Sequence, residues 1–176
     1  MGFALAGSWR RSSALGHVES MSELVRETVT VAGLPEAVWS VIEDPAALGR
    51  VLPGCESIAA DGPGRFRAVL ASRVGFMTLR ADVTATFHDA DAPRHLRLEL
   101  DGRPRGLAGS FRVSVPFDIE PTGDGGSRVS YSVELAVTGR LAAFGAPILR
   151  DSMRRQVAEL VRNVERELAT RGRGGA

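Results

Sequence analysis

The sequence predicts an α+β fold in which an antiparallel sheet curls around one long C-terminal helix. Three observations carry this. From Leu141 to Leu168 the apolar residues Ala146, Leu149, Met153, Val157, Leu160, Val161, Val164 and Leu168 recur every three or four positions, the spacing of one helical stripe. Arg150, Asp151, Arg154, Arg155, Glu159, Arg162, Glu165, Arg166 and Glu167 fill the other face. The preceding hundred or so residues hold runs that alternate apolar and polar side chains, the mark of strands with one buried face. The links between those runs are short and turn-rich, so neighbouring strands are antiparallel.

Residues 1–20 place Phe3 to Ala6 before Trp9, Arg10, Arg11 and a Ser-rich run. An apolar patch this short, with no basic residues ahead of it, is a poor secretory signal. The expectation is a disordered extension, with Met21 a second candidate start and a brief membrane contact the alternative. Leu24 to Val31 is rich in Val and Thr and reads as a strand. Gly33-Leu34-Pro35-Glu36 opens a helix, because Pro suits the first helical turn and Glu the positive end of the dipole. Val38, Trp39, Val41 and Ile42 form its buried side, and Asp44-Pro45 ends it. A second short helix, about Pro45 to Val51, closes at Pro53-Gly54.

Five strand-like runs follow: Arg65 to Arg73, Met77 to His88, His95 to Asp101, Ser110 to Glu120 and Arg128 to Thr138. The clearest alternates Met77, Leu79, Ala81, Val83, Ala85 and Phe87 with Thr78, Arg80, Asp82, Thr84, Thr86 and His88. Residues 21–169 therefore read as one domain, and 170–176 as a flexible basic tail.

A chain of 176 residues, 44% apolar and 24% charged, is an ordinary globular protein with length enough for a sizeable core. Its net charge of +1 gives no case for nucleic-acid binding. The single Cys55 excludes an internal disulfide and a cysteine metal cluster. No apolar run is long enough to span a membrane.

The element order, with Leu52-Pro53-Gly54-Cys55-Glu56 after the helix pair, resembles the CoxG-like family, that of the G subunit of carbon monoxide dehydrogenase, among the START-like, helix-grip ligand-binding domains. Val74-Gly75-Phe76, Gly102 to Gly109, Val137 to Ala142 and Gly145 carry the same resemblance, which covers about Leu24 to Leu168. It implies seven antiparallel strands wrapped around the long helix, with an apolar cavity between them. It also implies a partner, a molybdenum hydroxylase of the carbon monoxide dehydrogenase type. The cargo would be a quinone such as menaquinone, carried with no tightly bound cofactor. The place implied is the cytoplasm, peripheral to the inner face of the membrane. Longer members end in a linker and a membrane-seeking tail. This sequence runs only to Ala176 and shows neither, and Leu160 and Val161 stand where the family often has aromatics.

No catalytic constellation is legible. His88 and His95 fall on the polar phases of their strands, and no His, Asp or Glu cluster has metal-ligand spacing. Cys55 after a Pro-Gly turn reads as a small packed residue. The functional candidate is the apolar lining. From the strands it draws Phe66, Leu70, Met77, Leu79, Val83, Leu98, Phe111, Val113, Val115, Tyr131 and Val133. From the mouth and the helix it draws Phe76, Phe144, Ile148, Leu149 and Met153. Each could equally be plain core. As a group they suggest a binding cavity, because Ala68, Ala81 and Ala85 leave room and Met77 and Met153 repack readily. Tyr131 is the inward polar handle, able to donate to a headgroup carbonyl. Gly139 and Gly145 flank Leu141 to Phe144 as hinges of a lid. The alternatives are a polyketide cyclase-like or hydrolase-like enzyme, which would place acids or histidines inside, and a docking subunit whose interior is only core.

Overall fold

The computed structural model describes residues 21–174. The expectations for residues 1–20 and for the last two positions lie outside them. The order is β1 (Ser22–Val31), α1 (Pro35–Glu43), α2 (Pro45–Val51), β2 (Cys55–Ala60), β3 (Arg65–Val74), β4 (Met77–Asp91), β5 (His95–Pro104), β6 (Phe111–Pro121), β7 (Ser127–Val137), a 3-10 turn over Gly139–Phe144, and α3 (Ala146–Gly174). The strands form a seven-stranded sheet in the order β1-β7-β6-β5-β4-β3-β2, with every pairing antiparallel. The α1–α2 segment carries the chain from one margin of the sheet to the other.

Register shows why the alternation was a sound guide. Phe66, Ala68, Leu70, Ser72 and Val74 of β3 face Ala85, Val83, Ala81, Leu79 and Met77 of β4. Leu98, Leu100 and Gly102 of β5 continue the row into Val115, Val113 and Phe111 of β6. Side chains of one phase therefore share one face, and α3 lies across it. Gly102 makes room here for Phe111, whose ring lies over that backbone: a Cβ would sit 2.0 Å from its Cζ unless the ring moved.

Three features differ from expectation. β2 carries no clean apolar alternation; only Ile58 of its residues adds to a core cluster. Its pairing with β3 is set by backbone instead: Gly54, at φ +66°, lies so close to β3 that a Cβ would be 1.8 Å from the Ala71 carbonyl oxygen. The expected helix from Leu141 begins instead at Ala146. Gly145, at φ +76°, separates it from the 3-10 turn. At its other end α3 runs on to Gly174, so residues 170–174 are helical rather than a flexible tail.

Arg171 holds that last stretch down. It donates to Asp44 at 2.8 Å, to the Ser40 hydroxyl at 3.1 Å and to Glu167 at 3.0 Å. Asp44 also caps α2, accepting from the amide of Ala46 at 3.0 Å.

Candidate functional site

The space between sheet and helix is packed at both ends. Toward the start of α3, Leu24, Val25, Val74, Leu79, Val113, Tyr131, Val133, Leu135, Leu141 and Leu149 form one buried cluster. Toward its far end, Trp39 and Val38 of α1 pack on Leu96 and Ile119. There Val41, Ala47, Leu48 and Val51 also pack on Phe66. Phe66 meets Phe87 edge to face, with centroids 5.4 Å apart.

Between these ends the inner face is less deeply buried. Leu70, Leu98, Leu100, Val115 and Phe117 lie mid-sheet on the helix side, yet all stay half-buried. Met153, Val157 and Leu160, on the stripe of α3 that packs against the sheet clusters, are half-buried too. Of that helix only Leu149 and Ser152 are fully buried. The closest backbone approaches of α3 to the sheet are to β1 and β3, toward its two margins. This strip of partly accessible apolar side chains, packed against the clusters at both ends, is the candidate apolar crevice. Ala68 and Ala81, expected to leave room, are themselves buried, and Ala85 is half-buried.

The expected lining residues divide accordingly. Leu70, Leu98, Val115 and Met153 lie along the crevice, and Val83 is buried beside it. Leu79, Val113, Val133 and Leu149 belong to the packed cluster at one end, with Met77, Phe111 and Phe144 half-buried against it. Phe66 is core at the opposite end. Phe76 points away: it is 87% exposed, because the turn at Gly75 carries it past the end of the sheet. Ile148 is 40% exposed beside it. Leu100, Phe117, Val157 and Leu160 were missed as crevice residues. Their phase was visible in the alternation; their residual exposure depends on what faces them and was not.

Tyr131 is buried, but its hydroxyl is engaged. It donates to Glu27 at 3.3 Å, and Glu27 also accepts from Arg154 at 2.7 Å. Burial, then the Glu27 charge, pushes the Tyr131 hydroxyl up to about 12. Glu27 pairs with Tyr131 across the strands and so shares the inner phase, an acid that β1 does not advertise. Ser72 is a second inner polar group, accepting from the Gln156 amide at 2.6 Å. Burial raises the Cys55 thiol, which favours its protonated form.

The opposite, outer face of the sheet holds an open trough of about 1060 Å³, lined by Arg67, Asp82, Thr84, Asp101, Arg103 and Arg112 among others. Its walls mix charged side chains, with Asp82 held by Arg105 and Asp101 by Arg112, with apolar ones, Val69, Val83 and Phe111 among them. Among the described residues, no helix is long and apolar enough to cross a membrane.

Comparison with known proteins fits this geometry. Residues 28–169 match the CoxG family, described as the G subunit of carbon monoxide dehydrogenase. A conserved protein from Geobacillus kaustophilus is similar in structure, with TM-score 0.75 and 23% identity, over 81% of this chain and 93% of that one. The Zhui aromatase/cyclase from Streptomyces sp. R1128 gives TM-score 0.64 and 16% identity, over 89% and 99%. A START superfamily protein from Mycobacterium smegmatis gives 0.63 and 13%, over 85% and 99%. No curated protein matches in sequence. The family match spans most of the chain and the architecture is that of START-like helix-grip proteins, so the chain belongs to the CoxG family of carbon monoxide dehydrogenase.

Proposed function

We propose that this protein is a non-enzymatic accessory that carries a lipophilic small molecule, a quinone such as menaquinone, for a molybdenum hydroxylase of the carbon monoxide dehydrogenase type. It would work in the cytoplasm, close to the inner face of the membrane. The observation that carries this reading is the crevice, with apolar side chains left accessible beneath α3 where a self-sufficient core would bury them. Each methylene of an isoprenoid tail buried there contributes about 0.8 kcal/mol, so a long tail binds firmly without polar contacts. Since the Tyr131 hydroxyl is bonded to Glu27, affinity rests on the tail rather than the headgroup. Protein purified from its own host, extracted into organic solvent and analysed by mass spectrometry, should yield a stoichiometric quinone. A lipid-free protein that also fails to take up menaquinone in vitro would refute the proposal and favour a docking subunit.

An enzyme is the second reading, favoured by the likeness in fold to an aromatase/cyclase. Its acid would be Glu27, the carboxylate found on the inner phase of β1. That carboxylate is tied to both Arg154 and Tyr131, which leaves it occupied. Turnover of a polyketide substrate that Glu27→Gln abolishes would establish this reading instead.

A further inference from the structure

One end of the molecule combines exposed apolar side chains with a one-signed charge. The β3–β4 turn presents Phe76, 87% exposed, next to Ile148, 40% exposed, at the start of α3. They belong to one tip, because a Cβ at Gly75 would lie 3.6 Å from both Ile148 and the Phe144 ring. Exposed Ala142, Ala143, Ala146 and Pro147 extend its apolar surface. The β5–β6 loop is fastened to the same tip: the Arg140 amide donates to the Ala108 carbonyl at 3.0 Å, and the Arg105 amide to the Arg80 carbonyl at 2.7 Å.

The three segments that build this end, residues 72–80, 103–112 and 138–148, contain Arg73, Arg80, Arg103, Arg105, Arg112 and Arg140 and no Asp or Glu. Acids from neighbouring strands neutralise Arg80, Arg105 and Arg112. Arg73, Arg103 and Arg140 are exposed and make no ion pair among the described residues. A chain of net charge +1 thus carries unpaired cations on the segments that build the end holding Phe76, the most exposed aromatic ring among the described residues. The N-terminus of α3 opens at the same place and adds its positive dipole.

We propose that this tip docks on the surface of an anionic lipid bilayer, Phe76 and Ile148 entering between headgroups and Arg73, Arg103 and Arg140 lying against lipid phosphates. A large apolar ring costs free energy in water and is relieved in the acyl boundary. Arginines near an anionic leaflet each add about 1 kcal/mol. A protein partner would need a matching acidic socket, whereas a bilayer supplies both chemistries over any area. The proposal extends the carrier reading, for which it supplies contact with the lipid phase, but it is measured separately.

The test is flotation of the full chain with phosphatidylcholine vesicles, with and without phosphatidylglycerol. Binding is expected only with the anionic lipid and should weaken as salt rises. Phe76→Ser should lower the partition coefficient about tenfold, the effect of withdrawing one large apolar side chain from the boundary. Arg73→Gln combined with Arg140→Gln should lower it by at least about tenfold. Leu34→Ser, which alters an exposed leucine outside the three segments, should change nothing. Phe76→Trp should show a blue-shifted emission on anionic vesicles alone. Absence of binding to anionic vesicles, equal binding by Phe76→Ser, or equal loss with Leu34→Ser would overturn the proposal. Mass spectrometry of lipids on the same variants separates the two ideas: cargo retained by a Phe76→Ser protein that no longer floats leaves the carrier reading standing with docking lost at the tip. A lipid-free protein that floats leaves the reverse.

Discussion

Two arginines from different helices converge on Glu167. Arg50 of α2 donates at 2.6 Å and Arg171, one turn along α3, at 3.0 Å. These bonds, Arg50's the stronger influence, hold the Glu167 carboxyl at about 2, well below its ordinary 4.5. Because the folded value is the lower one, the pairing stabilises the protein fully above pH 4.5 and the contribution fades as pH falls from there toward 2. Urea midpoints should therefore drop across that window, and Glu167→Gln should flatten part of the drop. Tyr131 allows a second test. Tyr131→Phe removes a hydrogen bond to Glu27 and should cost about 1 kcal/mol in urea unfolding, while leaving menaquinone affinity unchanged. A large loss of affinity would mean that the hydroxyl leaves Glu27 for the ligand. The alternation placed Tyr131 on the inner face; it could not disclose that Glu27, on a strand a hundred residues earlier in the chain, would accept its hydrogen bond.

Elements repeat the lesson. β4 was legible because one face is buried, so every second residue had to be apolar. β2 was not, because it lies at the sheet margin and is fixed by the close approach of Gly54 to Ala71, a backbone matter without a side-chain signature. The end of α3 was misjudged for a related reason: its last turn shows glycine and charge, the usual look of a fraying end, but Arg171 is anchored to α1 and the loop after it. Arg171→Ala should release that turn and lower the thermal midpoint by about 2–4 °C, the shift that loss of about 1 kcal/mol gives a domain of this size. The break at Gly145 lets the 3-10 turn and α3 keep separate axes. A Cβ there meets nothing closer than Pro147 Cδ at 3.9 Å, so the obstacle to substitution is the φ of +76° alone. Gly145→Val should cost stability and slow ligand exchange, measured by fluorescence displacement; unchanged exchange rates would remove the lid.

For the molecule as a whole, the question is whether its interior is a container or a core. Filling the crevice decides it. Leu98 is half-buried, joins none of the three packed clusters, and faces the middle of the space. Leu98→Trp should therefore be accommodated with little loss of stability and should weaken binding of an isoprenoid quinone at least about tenfold. In a close-packed core the same change would cost about 1–3 kcal/mol of folding stability.

The pairing of the first strand with the last fixes the order in which this protein is made. Val25 has no partner until Val133 leaves the ribosome, and the clusters of α1 and α2 on the sheet stay incomplete until Val161, Val164 and Leu168 of α3 follow. Until then the newborn chain holds a growing meander with one greasy side bare. Such long-distance closure is slow, on the order of milliseconds to seconds, and it leaves synthesis as the interval in which chaperones have most to protect.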